Sequence, residues 1–181
     1  MSIFWRPKGA VLDFQFAEQQ GDKVYDLSGN GNHGTIYGAK WVKGPLLGAL
    51  YFDGEDDYVE VSNTELFDPN GYFTITALIC PLSLEQDNIG VVAGKYNVYA
   101  SNVGWALAIY KGRAILRLAD GSTQVNVVGF TTMNINKWYM VTGVRKGNTG
   151  YIYLNASLEN SADLSSLGDI TTPYVFIARF G

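Results

Sequence analysis

The 181-residue chain has one cysteine and one histidine. It is also short of charge, and each shortage removes some chemistry. Cys80 alone rules out an intrachain disulfide and any cysteine-based zinc cluster; it is silent about compartment. With His33 as the only histidine and no G-x-S-x-G motif, neither a nucleophile triad nor a histidine-rich metal site can be assembled. No glycine-rich loop precedes a helix, so phosphate cradling is unsupported. Charged residues make up 17%, below the usual quarter, while 47% hydrophobic content is that of a folded chain. Basic charge is lacking too: 13 Lys+Arg against 17 Asp+Glu give a net charge of −4 and a pI near 4.9. That balance disfavours a basic surface for nucleic acid or anionic lipid. Long apolar runs are missing, and the stretch around Ile75–Leu82 is too short and too broken by Thr and Pro to span a bilayer. Residues 1–8 contain neither an apolar core nor a small-residue cleavage site, so no signal peptide is expected.

What is present is a succession of short runs rich in β-branched and aromatic residues, punctuated by Gly, Asn and Asp. Helical periodicity is almost absent. The pattern predicts strands at Ala10–Phe16, Gly34–Tyr37, Ala49–Phe52, Tyr58–Val61, Phe73–Cys80 and Gly90–Lys95. Further strands are predicted at Gly104–Tyr110, Arg113–Leu118, Thr123–Val128, Trp138–Arg145, Gly150–Asn155 and Tyr174–Phe180. Tight turns at Lys111-Gly112, Asp120-Gly121 and Gly147-Asn148 make residues 105–154 an antiparallel meander. Leu158–Leu167 is polar and Ser-rich and reads as a loop. About a dozen strands in one domain spanning residues 1–181 imply an all-β fold, a two-sheet antiparallel jelly-roll sandwich.

Two segments are more specific, Asp26-Leu27-Ser28-Gly29-Asn30-Gly31-Asn32-His33-Gly34-Thr35 and Gly48-Ala49-Leu50-Tyr51-Phe52-Asp53-Gly54-Glu55-Asp56-Asp57-Tyr58-Val59-Glu60-Val61. With Phe73–Ala77, Lys137–Val141 and Tyr151–Asn155 in the same order, they resemble the laminin-G-like jelly rolls of the concanavalin A-like lectin and glucanase superfamily. Leu78 stands where those domains usually carry Trp, and Asn155-Ala156 replaces their usual Asp-Gly turn. The resemblance also implies a final strand after the one matched by Val175–Arg179, lying beside the first strand of the chain. Here the chain stops at Gly181. That last strand is therefore expected to be absent or supplied from elsewhere, leaving a sheet edge through which copies could assemble.

Four groups of residues are candidates for function. The Asp26–Gly34 loop offers a carboxylate, amides and glycines, as a hard cation requires, and the resemblance brings the turn of Asp53 close to it. One reading is a structural calcium site using Asp26, Asn30 and Asp53. The other is that Asp26 and Asn32 satisfy loop backbone groups as Asx-turns. Glu55, Asp57 and Glu60 match the spacing of the acid-rich strand of the superfamily's glucanases. The same letters, however, belong to the laminin-G-like turn, and the chain is expected not to be an enzyme. Tyr96, Asn97, Tyr99 and Asn102 lie in a polar loop near Trp105 and Tyr110, and are the expected ligand contacts. Trp105 and Trp138 alternate with apolar neighbours and are expected in the core.

The resemblance implies a non-catalytic recognition module for carbohydrate or protein ligands, at a cell surface, outside the cell or on a virion. A self-assembling structural subunit is the alternative reading.

Overall fold

The computed structural model describes residues 8–61, 67, 71–84, 89–97, 102–170 and 175–177. Among the described residues fourteen strands run in chain order as β1 (Lys23–Val24), β2 (Gly34–Tyr37), β3 (Lys40–Lys43), β4 (Gly48–Tyr51), β5 (Tyr58–Val61), β6 (Tyr72–Ile79) and β7 (Ile89–Asn97). They continue as β8 (Val103–Tyr110), β9 (Arg113–Asp120), β10 (Gln124–Val128), β11 (Tyr139–Lys146), β12 (Thr149–Leu154), β13 (Ser157–Asp163) and β14 (Val175–Ile177). An eight-stranded sheet in the order β1-β2-β5-β14-β7-β8-β9-β10 faces a four-stranded sheet in the order β13-β12-β11-β6. A separate β3-β4 hairpin completes the all-β, wholly antiparallel sandwich. Among the described residues no helix is long and apolar enough to cross a membrane.

Alternation within the strands builds the core. Trp105 and Leu107 of β8, Leu116 and Leu118 of β9 and Val127 of β10 point inward to meet Val141 of β11 and Ile152 and Leu154 of β12. Gly143 of β11 allows this close approach, because a Cβ there would lie 2.9 Å from a methyl of Leu116. The larger sheet continues past the smaller one, and there a second cluster of Val24, Ile36 and Val59 is covered by Phe14, Phe16, Trp41, Leu50 and Phe52.

Three expectations need correction, and a fourth is met within the described residues. Ala10–Phe16 alternates like a strand but forms only one bridge, Phe14 to Asp26, because the segment lies across the core rather than inside a sheet. Residues 157–163, expected as loop, form β13, an edge strand with exposed positions on both sides of its pleat. The strand expected at 174–180 is described only over β14, which fills the space between β5 and β7. Trp105 is buried as expected, but Trp138 precedes β11 and is 40% exposed.

The turns behave as their residues dictate. Lys111 and Gly112 both have positive φ between β8 and β9, and Gly147 has φ +57 between β11 and β12. Between β12 and β13, Asn155 (φ +49) and Ala156 (φ +66) occupy the positions expected of a two-residue hairpin.

Candidate functional site

The Asp26–Gly34 loop is organised around one carboxylate. Asp26 is 6% exposed, and its Oδ1 accepts the N–H groups of Asp13 (3.0 Å) and Ser28 (2.9 Å). Its Oδ2 accepts the Ser28 hydroxyl (2.7 Å) and the Asn32 N–H (3.0 Å). Burial raises the pKa of this carboxyl, but the bonds from Ser28, Asp13 and Asn32 outweigh it and hold the group below its ordinary value. Asn30 Nδ2 donates to the Ala10 carbonyl at 3.0 Å and Asn32 Nδ2 to the Val11 carbonyl at 2.7 Å. The loop thus fastens the irregular segment 10–13 to the sandwich, with Asp26 in an Asx-turn at its centre.

Asp53 lies elsewhere. β2 is antiparallel to β5, with Gly34 opposite Val61 and Tyr37 opposite Tyr58. The Asp26 loop enters β2 at Gly34, whereas the Asp53–Asp57 turn enters β5 at Tyr58. Four residues of strand, roughly 10 Å, separate the two. Asp53 instead converges with Asp56 and Asp57, whose oxygens lie within 4.8 Å of one another. Asp57 Oδ2 accepts the Asp53 N–H at 2.9 Å, and its other oxygen presses on Gly38, where no Cβ could fit. The structure therefore brings Asp26 and Asn30 together and leaves Asp53 at the far end of β2.

The acids at glucanase spacing are divided as well. Glu55 is exposed in the turn, Asp57 is buried at 6% exposure, and Glu60 points outward from β5 between the inward Val59 and Val61. Of the expected ligand contacts, Tyr96 and Asn97 are not in a loop. Their backbones end β7, opposite Gly104 and Val103 of β8. Asn102 is exposed with φ +49 at the start of β8, and Tyr99 lies outside the described residues.

A site overlooked in the sequence lies on the outward face of the larger sheet. Tyr37 of β2 and Tyr58 of β5 stand directly opposite each other, with rings stacked at 4.7 Å and 19°. Glu60 lies two residues along on the same face, in the row opposite Thr35. The Tyr37 phenol is held above its ordinary pKa by burial, then by the charge of Glu60 and by Tyr58. Tyr37 is nonetheless 42% exposed. The spacing Tyr58-x-Glu60 signalled a shared face, but only the register with β2 adds Tyr37.

No curated protein matches the chain in sequence. Among solved structures it is similar to the binding domain of Paraclostridial Mosquitocidal Protein 1, with TM-score 0.71 and 19% identity, covering 90% of this chain and 43% of that one. It is also similar to the receptor-binding domain of the botulinum neurotoxin C/D mosaic serotype, with TM-score 0.69 and 18% identity, covering 93% of this chain and 42% of the other. The binding domain of botulinum neurotoxin serotype G gives TM-score 0.69 and 18% identity, covering 85% and 40%. The chain thus spans less than half the length of these structures, and at such identities the likeness is one of fold. Residues 53–179 match the family Laminin_G_3, described as the concanavalin A-like lectin/glucanases superfamily. With most of its length matched and the two-sheet sandwich in place, the chain belongs to this laminin-G-like family.

Proposed function

We propose that the chain is a non-catalytic recognition module that binds a glycan or protein ligand at its surface. The observation that carries this reading is the division of its acids. A retaining glycosidase needs two carboxyl groups about 5 Å apart, facing one sugar. Here Asp57 is buried in the turn before β5, where it receives the Asp53 N–H, while Glu60 projects outward from β5. A fold shared with toxin receptor-binding domains supports the same reading. The test is a glycan array with and without calcium, run beside hydrolysis of a β-glucan panel. Binding without turnover is expected. Hydrolysis by the wild type that Glu60→Gln abolishes would establish a glycosidase instead.

Self-assembly is a second reading, and β6 favours it. Among the described residues β6 ends the smaller sheet. It carries no charge and no proline, and it pairs with β11 over eight residues without a bulge. Those are the devices that usually blunt an edge. Its inward Phe73, Ile75, Ala77 and Ile79 pack on the main core yet are only partly buried. An edge of this kind can pair with an extended strand supplied by another copy. Exchange of one strand between copies is the assembly this allows. Light scattering should then show dimers or larger species, and a monomer at every concentration would remove the reading.

A further inference from the structure

We propose that Tyr37, Tyr58 and Glu60 form a binding site for an alkylated ammonium group carried by a ligand. The proposal rests on the reading of the chain as a recognition module and names one site and one ligand chemistry within it.

Three features converge. The first is the pair of rings. Stacking at 4.7 Å and 19° spends one face of each ring on its partner and leaves the pair as a fixed aromatic surface, with Tyr37 exposed to solvent. Ring faces carry negative quadrupole density and attract cations. The second is the carboxylate. Glu60 shares the face of Tyr58, two residues along β5, which places its charge on the same side of the sheet as the rings. The raised Tyr37 phenol registers that charge, after the contribution of burial. The third is what lies alongside. Lys23, Thr35 and Glu60 form one row across β1, β2 and β5, and the Lys23 ammonium is bonded to Thr35 at 3.4 Å. That cation is held one strand short of Glu60.

The choice of ligand follows from the donors. A hard cation seeks several oxygen ligands, and this surface presents one carboxylate among ring faces. A weakly hydrated alkylammonium gains from the rings and from the charge together. A neutral sugar or alcohol would gain from the rings but not from the carboxylate, so charge is the feature to vary.

The experiment is an NMR titration of the ring resonances of Tyr37 and Tyr58 with choline, repeated with its uncharged isostere 3,3-dimethylbutanol and repeated on Glu60→Gln. Choline should give a saturable shift at both tyrosines, with affinity about tenfold lower in Glu60→Gln and for the alcohol. The absence of a saturable shift, or an equal response to the alcohol, overturns the proposal. Ultraviolet titration of Glu60→Gln provides an independent readout, because removing the charge should bring the Tyr37 phenol down toward its ordinary value. If that titration does not move, the carboxylate does not act on the ring and the site falls. Glycan-array binding that persists in Glu60→Gln while choline is silent overturns this site and leaves the recognition module standing.

Discussion

The backbone N–H of Asp26 donates to Nδ1 of His33 at 3.0 Å, and the Tyr25 ring meets the same imidazole edge-on at 5.3 Å. An accepting Nδ1 places the proton of the neutral ring on Nε2, and an imidazolium could not accept at all. Nitrogen NMR of His33 in its neutral form should show a bare Nδ1. A protonated Nδ1 there would mean that the bond does not form. Replacing His33 with Ala should cost about 0.5–1.5 kcal/mol, the ordinary worth of one hydrogen bond.

Asp26→Ala should be far more damaging. Four donors lose their acceptor at once, and the Asn32 amide is buried. A loss of about 3 kcal/mol is expected in chemical denaturation, since unmet buried groups cost about 1–3 kcal/mol each and the loop can relax. Because these oxygens are already engaged, the loss should be the same in calcium and in EDTA. A wild-type protein whose melting temperature drops in EDTA, with Asp26→Ala insensitive to EDTA, would show that Asp26 holds a cation.

Acid should unfold the protein through the same kind of group. Asp26 and Glu159 are raised by burial, but hydrogen bonds hold both below their ordinary values; those to Glu159 come from Thr131 and Phe130. A carboxyl depressed in the folded state stabilises above its unfolded pKa, near 4, and loses that contribution as pH falls through the folded value. Thermal stability should therefore be nearly flat from neutral pH to about 5 and fall steadily below about 4. Asp120 and Asp163 are held low by hydrogen bonds as well, so the double variant Asp26→Asn, Glu159→Gln should make this acid limb shallower without abolishing it. An unchanged slope would assign it to other groups.

Ala156 sits at φ +66 in the β12–β13 turn, a conformation that L side chains adopt at a cost of roughly 1–2 kcal/mol. Glycine avoids that cost but adds freedom to the unfolded chain, so Ala156→Gly should stabilise by about 0.5–1 kcal/mol. A lower midpoint in urea would show that the methyl contributes packing worth more than the strain.

Most of the meander could be read from sequence because Lys111-Gly112 and Gly147-Asn148 sit where the chain must turn, flanked by alternating residues whose burial the sandwich enforces. β13 escaped because Ser157–Asp163 is an edge strand, so neither of its faces demanded hydrophobic residues. Ala10–Phe16 misled for the opposite reason. Its alternate apolar side chains are half-buried, Leu12 on the main core and Phe14 and Phe16 against Val24, Ile36 and Val59, rather than set in a strand ladder. The residue types of the Asp26 loop were legible and their purpose was not, since a carboxylate among amides and glycines suits a cation and a knot of hydrogen bonds equally well. Tyr37 and Tyr58 are twenty-one positions apart, and only strand register makes them neighbours.

The two long margins of the smaller sheet are not equivalent. On the β13 side, Asn160 Nδ2 donates to the Val128 carbonyl at 2.8 Å, while the Glu159 carboxylate receives the N–H groups of Phe130 and Thr131 at 2.9 and 2.7 Å. These bonds bolt β13 to the end of β10. On the β6 side nothing comparable joins the layers among the described residues beyond packing of half-covered side chains such as Phe73 on Trp105. The sandwich should thus open like a book bound along one spine. Amide hydrogens on the outer side of β6 should exchange with solvent orders of magnitude sooner than those shared by β11 and β12.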